Sequence, residues 1–203
     1  MVAAMRIAKP HSLILYPTGA GEERDIDLGS LKAAFSGSED GVTFTSDGRL
    51  ALLTALDTEQ EIRDYLVDMR TGSVRAVTPV GTKAGKLSPD GTRVVTRNLA
   101  TQRPLLVEVA SGKSSEIPGI ETHDEVLGWS SDGHSLFVWN QELPARINLV
   151  DLASGRRQLV QTVDPLVTLG SMYARLVTSQ DGKVAAYRQR RGLYGIYIAD
   201  GLH

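Results

Sequence analysis

The sequence contains no cysteine, which excludes disulfides, thiolate metal sites and cysteine nucleophiles and leaves the redox compartment undetermined. It has no run approaching the ~18 consecutive apolar residues of a membrane span, so the chain is expected not to cross a bilayer. Residues 1–10 carry a short run of small apolar residues, too short for the core of a secretory signal. An excess of charge is lacking as well: 22 Lys plus Arg stand against 24 Asp plus Glu, a net charge of -2. That balance lacks the broad positive field of a nucleic-acid binder. No segment beyond the N-terminal region sustains the i, i+3, i+4 pattern of a helix for three turns.

What the chain has is turns, with 20 Gly and 8 Pro in 203 residues. Asp-Gly recurs at Asp47-Gly48, Asp90-Gly91, Asp132-Gly133 and Asp181-Gly182, in steps of 43, 42 and 49 residues. Each pair sits in a longer frame: Phe44-Thr-Ser-Asp-Gly48, Leu87-Ser-Pro-Asp-Gly91, Trp129-Ser-Ser-Asp-Gly133 and Thr178-Ser-Gln-Asp-Gly182. About half a repeat later comes a second turn, at Asp68 to Gly72, Val109 to Gly112, Asp151 to Gly155 and Ala199 to Gly201. Between the turns lie short β-branched and apolar runs such as Arg93-Val-Val-Thr96 and Leu136-Phe-Val-Trp139. Asp followed by Gly between such runs marks a hairpin, because Asp accepts from the backbone and Gly tolerates positive φ.

Four short strands per ~42 residues is the spacing of propeller blades. The expected fold is therefore all-β, a β-propeller of four-stranded antiparallel blades. We read residues 1–203 as a single, partial propeller segment of about four to five blades: blade parts at 11–28, then blades 41–78, 83–118, 125–162 and 172–203. This pattern gives 17 strands, one too many for four blades and three too few for five. Either the ring closes with an irregular blade or the chain is part of a longer propeller; we favour the second. An open edge able to pair with another chain then follows.

These frames resemble the TolB-like, WD-repeat-like β-propellers of bacteria, whose blades carry a Ser-Pro-Asp-Gly turn between the first two strands. Ser88-Pro89-Asp90-Gly91 matches it fully, and Ser46-Asp47-Gly48, Ser131-Asp132-Gly133 and Ser179-Gln180-Asp181-Gly182 match with substitutions. The Trp-Asp pair of eukaryotic WD repeats is missing. Over Glu121 to Leu202 the chain also resembles the closing blades of bacterial Ser/Thr protein kinases with a C-terminal propeller, through Trp129-Ser-Ser-Asp-Gly133, Leu143-Pro-Ala-Arg-Ile147, Asp151-Leu-Ala-Ser-Gly-Arg156 and the ending Leu193 to Leu202. That resemblance implies a natural terminus at His203 and any catalytic domain upstream. An extracytoplasmic or periplasmic location is suggested by resemblance only.

Catalytic motifs are sought without success. There is no His-Arg-Asp or Asp-Phe-Gly kinase element and no Gly-x-Ser-x-Gly elbow. Gly112-Lys113-Ser114 has the ending of a phosphate loop, but Val107 stands where the upstream Gly belongs. Gly19-Ala-Gly21 lacks the third Gly of a dinucleotide fingerprint. The four His residues, His11, His123, His134 and His203, show no metal-ligand spacing. One Asp per hairpin is explained by the turn rather than by calcium. No cofactor or metal is expected, and the chain reads as not an enzyme. A small acid-base site at His123 and Asp124 is the one catalytic alternative, since a carboxylate can orient an imidazole. Arg156-Arg157 and Arg188-Gln-Arg190-Arg191 read as solvated surface, having no aromatic stacking platform beside them.

Alternating strands place the a–b and c–d turns on one face and the b–c and d–a loops on the other. Recognition concentrates on irregular loops held by a rigid scaffold, here 28–40, 57–61, 98–103, 119–124, 141–144, 163–170 and 190–193. Their candidate binding residues are Asp57, Glu59, Glu61, Arg103, Glu121, His123, Asp124, Glu142, Asp164 and Arg190, with Glu39, Asp40 and Arg191 beside them. Acid predominates, which suits a basic or amide-rich partner such as a peptide. The expected function is a non-catalytic protein- or ligand-binding module, sensory or scaffolding within a larger signalling protein. The alternative is the accessory propeller of a hydrolase or peptidase. Nucleic acid is not an expected partner; self-association through open blade edges is.

Overall fold

A computed structural model describes residues 2–6, 11–34, 42–142, 144–164 and 171–191. The described elements are all strands. Blade 1 is a sheet of β1 (Val2–Arg6), β2 (Ser12–Tyr16) and β3 (Arg24–Asp27). In blade 2 the inner strand is in two pieces, β4 (Lys32–Ala33) and β5 (Thr43–Phe44), both paired with β6 (Leu50–Leu56), followed by β7 (Ile62–Asp68) and β8 (Val74–Ala76). Blade 3 holds β9 (Thr82–Leu87), β10 (Arg93–Asn98), β11 (Pro104–Glu108) and β12 (Ser114–Glu116). Blade 4 holds β13 (Glu125–Trp129), β14 (Ser135–Trp139), β15 (Ala145–Asp151) and β16 (Arg157–Val163), and blade 5 begins with β17 (Ser171–Thr178) and β18 (Ala185–Arg191). Every pairing is antiparallel, and blades 3 and 4 each run in simple meander order.

Three boundaries differ from the sequence expectation. The first blade part starts at Val2 rather than 11, because Val2–Arg6 pairs along β2 from Val2↔Tyr16 to Arg6↔Ser12. The second blade reaches back from 41 to Lys32, which pairs with Leu56 inside what was read as a loop. Arg190 and Arg191 lie in β18, opposite Met172 and Ser171, rather than in a loop. The expected third strand near Gly195, and the turn at Ala199 to Gly201, fall outside the described residues.

The repeated frame is explained by one hydrogen-bonded unit built four times. The hydroxyls of Thr45, Ser88, Ser130 and Ser179 donate to Oδ1 of Asp47, Asp90, Asp132 and Asp181 at 2.7, 2.6, 2.5 and 2.6 Å. The same Oδ1 atoms accept the N–H of Arg49, Thr92, His134 and Lys183 at 2.9–3.1 Å. Gly48, Gly91, Gly133 and Gly182 close the turns at φ between 67° and 75°, a left-handed conformation that costs glycine little. The working motif is thus Ser/Thr-x-Asp-Gly, with the hydroxyl two residues before Asp; Ser46 and Ser131, adjacent to Asp, are not its donors. These bonds, led by the hydroxyl contact, hold all four aspartates below the usual carboxylate range.

The core is a series of layers between blades. Ala51 and Leu53 pack towards Leu13 and Leu15 of blade 1, whereas Leu52 between them packs towards Leu87 and Val94 of blade 3. Leu136 and Val138 join Val95 of blade 3; Phe137 and Trp139 join Leu176 of blade 5. Strands with both faces covered read as continuous apolar runs, and all five residues of β14 are buried. Between blades 3 and 4 the Arg93 guanidinium lies 5.2 Å from the Trp129 ring centre and donates to the Gly133 carbonyl at 2.7 Å, a cation–π contact with a fixed direction.

Candidate binding clefts

Both turns of each complete blade lie side by side: Met69 N–H donates to Arg49 O, Val109 N–H to Thr92 O and Leu152 N–H to His134 O, at 2.8–3.1 Å. The candidate residues lie elsewhere, on the b–c turns, on the d–a crossovers and in β18.

Most of those residues are bound within the fold. Asp57 closes its own turn, Oδ1 accepting from the N–H groups of Glu59 and Glu61 at 2.9 and 3.0 Å while Oδ2 accepts from Arg63 at 3.1 Å. The bond from Glu61 is the main cause of its lowered pKa. Arg63 also meets Glu61 at 3.0 Å. Glu142 accepts from Asn140 at 2.8 Å. Glu59, His123 and Asp164 stand exposed. Only the backbone position of Arg190, given above, is described, and Glu39 and Asp40 fall outside the described residues.

Asp124 is the residue whose role changes most. Its side chain is 2% exposed and takes a two-pronged grip from Arg157, at 2.7 and 3.0 Å. Oδ2 also accepts the Glu121 N–H at 2.8 Å. The carboxylate that was to orient His123 is spent on Arg157, so the geometry removes the acid-base alternative. Its presence raises the Arg157 pKa through that hydrogen bond. The pair ties the 117–124 crossover to the outer strand of blade 4. Removing one partner strands the other charge. Because Arg157 is 28% exposed, water softens the loss, and Arg157→Ala should cost about 2 kcal/mol, read as a lower urea midpoint.

Two of the sequence candidates are brought together. Arg103 and Glu121 line a cleft of about 300 Å³ with Pro104, Glu116, Ile117, Ile120 and Thr122. Arg103 bonds Glu116 across it at 3.2 Å, both side chains well exposed. Two larger clefts open on the turn side, where only scaffold was expected. One, about 390 Å³, runs between Asp47, Arg49, Asp68, Arg70 and Asp90; the other, about 460 Å³, between Ser135, Asp151, Ser154 and Arg156. The signal available in the sequence was Arg49 and Arg70, which do not recur in the other turns. Among the described residues no three His, Asp or Glu side chains are grouped to hold a metal, and no helix is long and apolar enough to cross a membrane.

A buried polar cluster between blades 2 and 3 also escaped the sequence reading. Asp64, fully buried, accepts the hydroxyls of Thr54 and Thr96, each at 2.5 Å, and the Gly85 N–H at 3.2 Å. Burial raises its pKa, against the pull of these donors. Space there is closed, since a Cβ on Gly85 would lie 2.6 Å from Asp64 Oδ2.

No family model and no curated protein matches this sequence. Solved structures do match. TolB from Acinetobacter baumannii aligns over 92% of this chain and 50% of its own, with a TM-score of 0.61 at 16% identity. An oligogalacturonate lyase from Vibrio parahaemolyticus aligns over 90% and 54%, at 0.65 and 13%, and a chain of a nidogen/laminin complex over 78% and 60%, at 0.53 and 8%. None of these three is a kinase, so the kinase resemblance rests on the sequence alone. The chain spans about half the length of the TolB and lyase structures, and its fold, like theirs, is a β-propeller.

Proposed function

We propose that this chain is a non-catalytic, peptide- or ligand-binding part of a larger propeller protein, with the Arg103–Glu121 cleft as its docking point. The observation that carries this reading is the meeting of Arg103 and Glu121 in one open groove. The groove offers a carboxylate at Glu121 and an exposed, exchangeable ion pair at Arg103 and Glu116. With Asp57, Glu61 and Asp124 committed to arginines inside the fold, the loops keep an acidic surplus at Glu59 and Glu121, which favours a basic segment.

Fluorescence polarisation with a labelled lysine-rich hexapeptide and its glutamate counterpart tests it. The lysine peptide should bind preferentially, and Glu121→Lys should weaken it about fivefold. Equal binding of both peptides, or indifference to Glu121→Lys, would overturn the assignment.

A further inference from the structure

We propose that the outer edge of blade 4 is a self-association surface, where β16 of one copy pairs antiparallel with β16 of a second. Among the described residues the sheet order of blade 4 ends at β16, whose one strand partner there is β15. From Arg157 to Thr162 its far-side backbone donors and acceptors meet no described strand and form a template for pairing. The outer strands of blades 1 to 3 are short: β3 has four residues, β8 and β12 three each. β16 has seven, Arg157-Gln-Leu-Val-Gln-Thr-Val163, with no Lys, Asp, Glu or Pro to repel a neighbour. Its one charge, Arg157, is held by Asp124. Leu159 and Val160 are 54% and 40% exposed, a pair of large apolar side chains on an edge where a free-standing sheet would carry a gatekeeping charge.

The flanking charges select the occupant. Arg156 lies just before the strand and Asp164 just after it, both exposed. Antiparallel pairing brings the arginine end of each copy beside the aspartate end of the other, twice about a two-fold axis. Parallel pairing would set like charges together. Such an interface is self-complementary, as a two-fold contact must be. A register shift in β16 between Leu159 and Gln161 leaves Val160 without a rung on β15, so the new ladder forms as two short stretches either side of it. No residue of β16 lines the Arg103–Glu121 cleft, and the proposal stands independently of the function proposed for that cleft.

Light scattering over a concentration series tests the assignment. The mass should rise from 21.9 kDa towards roughly twice that value, as for an isologous dimer, and fall back with salt. Leu159→Lys should abolish the rise, and Asp164→Arg should weaken it about tenfold or more. Arg156→Asp combined with Asp164→Arg should restore it, which shows that the single variant had not merely misfolded. A monomer throughout the series would overturn the proposal. So would a dimer indifferent to Leu159→Lys, which would place the contact at another edge such as β1. Association confined to a different protein, by addition of a strand to β16, would do so too.

Discussion

Asp64→Ala is expected to remove about 3–5 kcal/mol of stability, while Asp64→Asn should stay within about 1 kcal/mol of the parent at neutral pH. The alanine leaves the Thr54 hydroxyl and the Gly85 N–H, both donors to Oδ1, without an acceptor in a sealed layer. Asparagine keeps that oxygen. Its amide can donate to the Thr96 hydroxyl, which turns its own proton to the Lys83 carbonyl 3.0 Å away. Urea denaturation of the two variants separates a hydrogen-bonding role from a need for charge. A large loss in both would mean that the negative charge itself is required.

The same substitution carries a pH signature. Burial raises the folded pKa of Asp64, so the native state holds this proton more tightly than the unfolded chain. Its contribution is full below the ordinary aspartate range and declines as pH rises through the raised folded value. Turn aspartates such as Asp47, Asp90 and Asp132 are shifted down, so theirs is present above the ordinary range and is lost as pH falls through their lowered values. Asp64→Asn should flatten the first dependence and leave the second. Urea midpoints measured across pH would show it.

The second large effect is expected at Gly119. It sits at φ +73°, and a Cβ there would lie 2.1 Å from the Gly155 carbonyl oxygen, a backbone atom that cannot swing aside. Gly119→Ala should therefore cost about 3 kcal/mol or more, combining left-handed strain with a clash. Gly112 provides the control, because it has a similar φ of +68° but nothing within 4 Å of the added carbon. Gly112→Ala should cost about 1 kcal/mol. Thermal unfolding midpoints of the pair would check it, and equal losses would show that backbone strain alone sets the cost.

Much of the architecture was legible because each hairpin carries its own local chemistry. Ser88 and Asp90 lie two residues apart and form the turn without help from the rest of the chain. What the sequence hid depended on partners distant along it. Val2–Arg6 is a short apolar run with no strand signal of its own until β2 lies beside it, and Lys32–Ala33 joins a strand through Ala55 and Leu56. Asp64 and Thr96 are 32 residues apart, on strands whose facing is set only when two blades stack. The candidate residues stand out by their charge and their place on irregular loops, and neither reveals that Asp124 finds Arg157 33 positions away. Arg103 and Glu121 meet because a turn and a crossover of neighbouring elements share one rim.

Because the apolar layers lie between blades and not at one centre, each blade is stabilised chiefly by its immediate neighbours. The energetics are those of stacked units, in which coupling passes from each blade to the next. Hydrogen exchange should therefore be slowest in β6, β10 and β14, whose residues join the apolar layers on both of their faces. A local opening would then pass from layer to layer as a zipper parts, with the Asp64 cluster between blades 2 and 3 as one of its stiffer teeth.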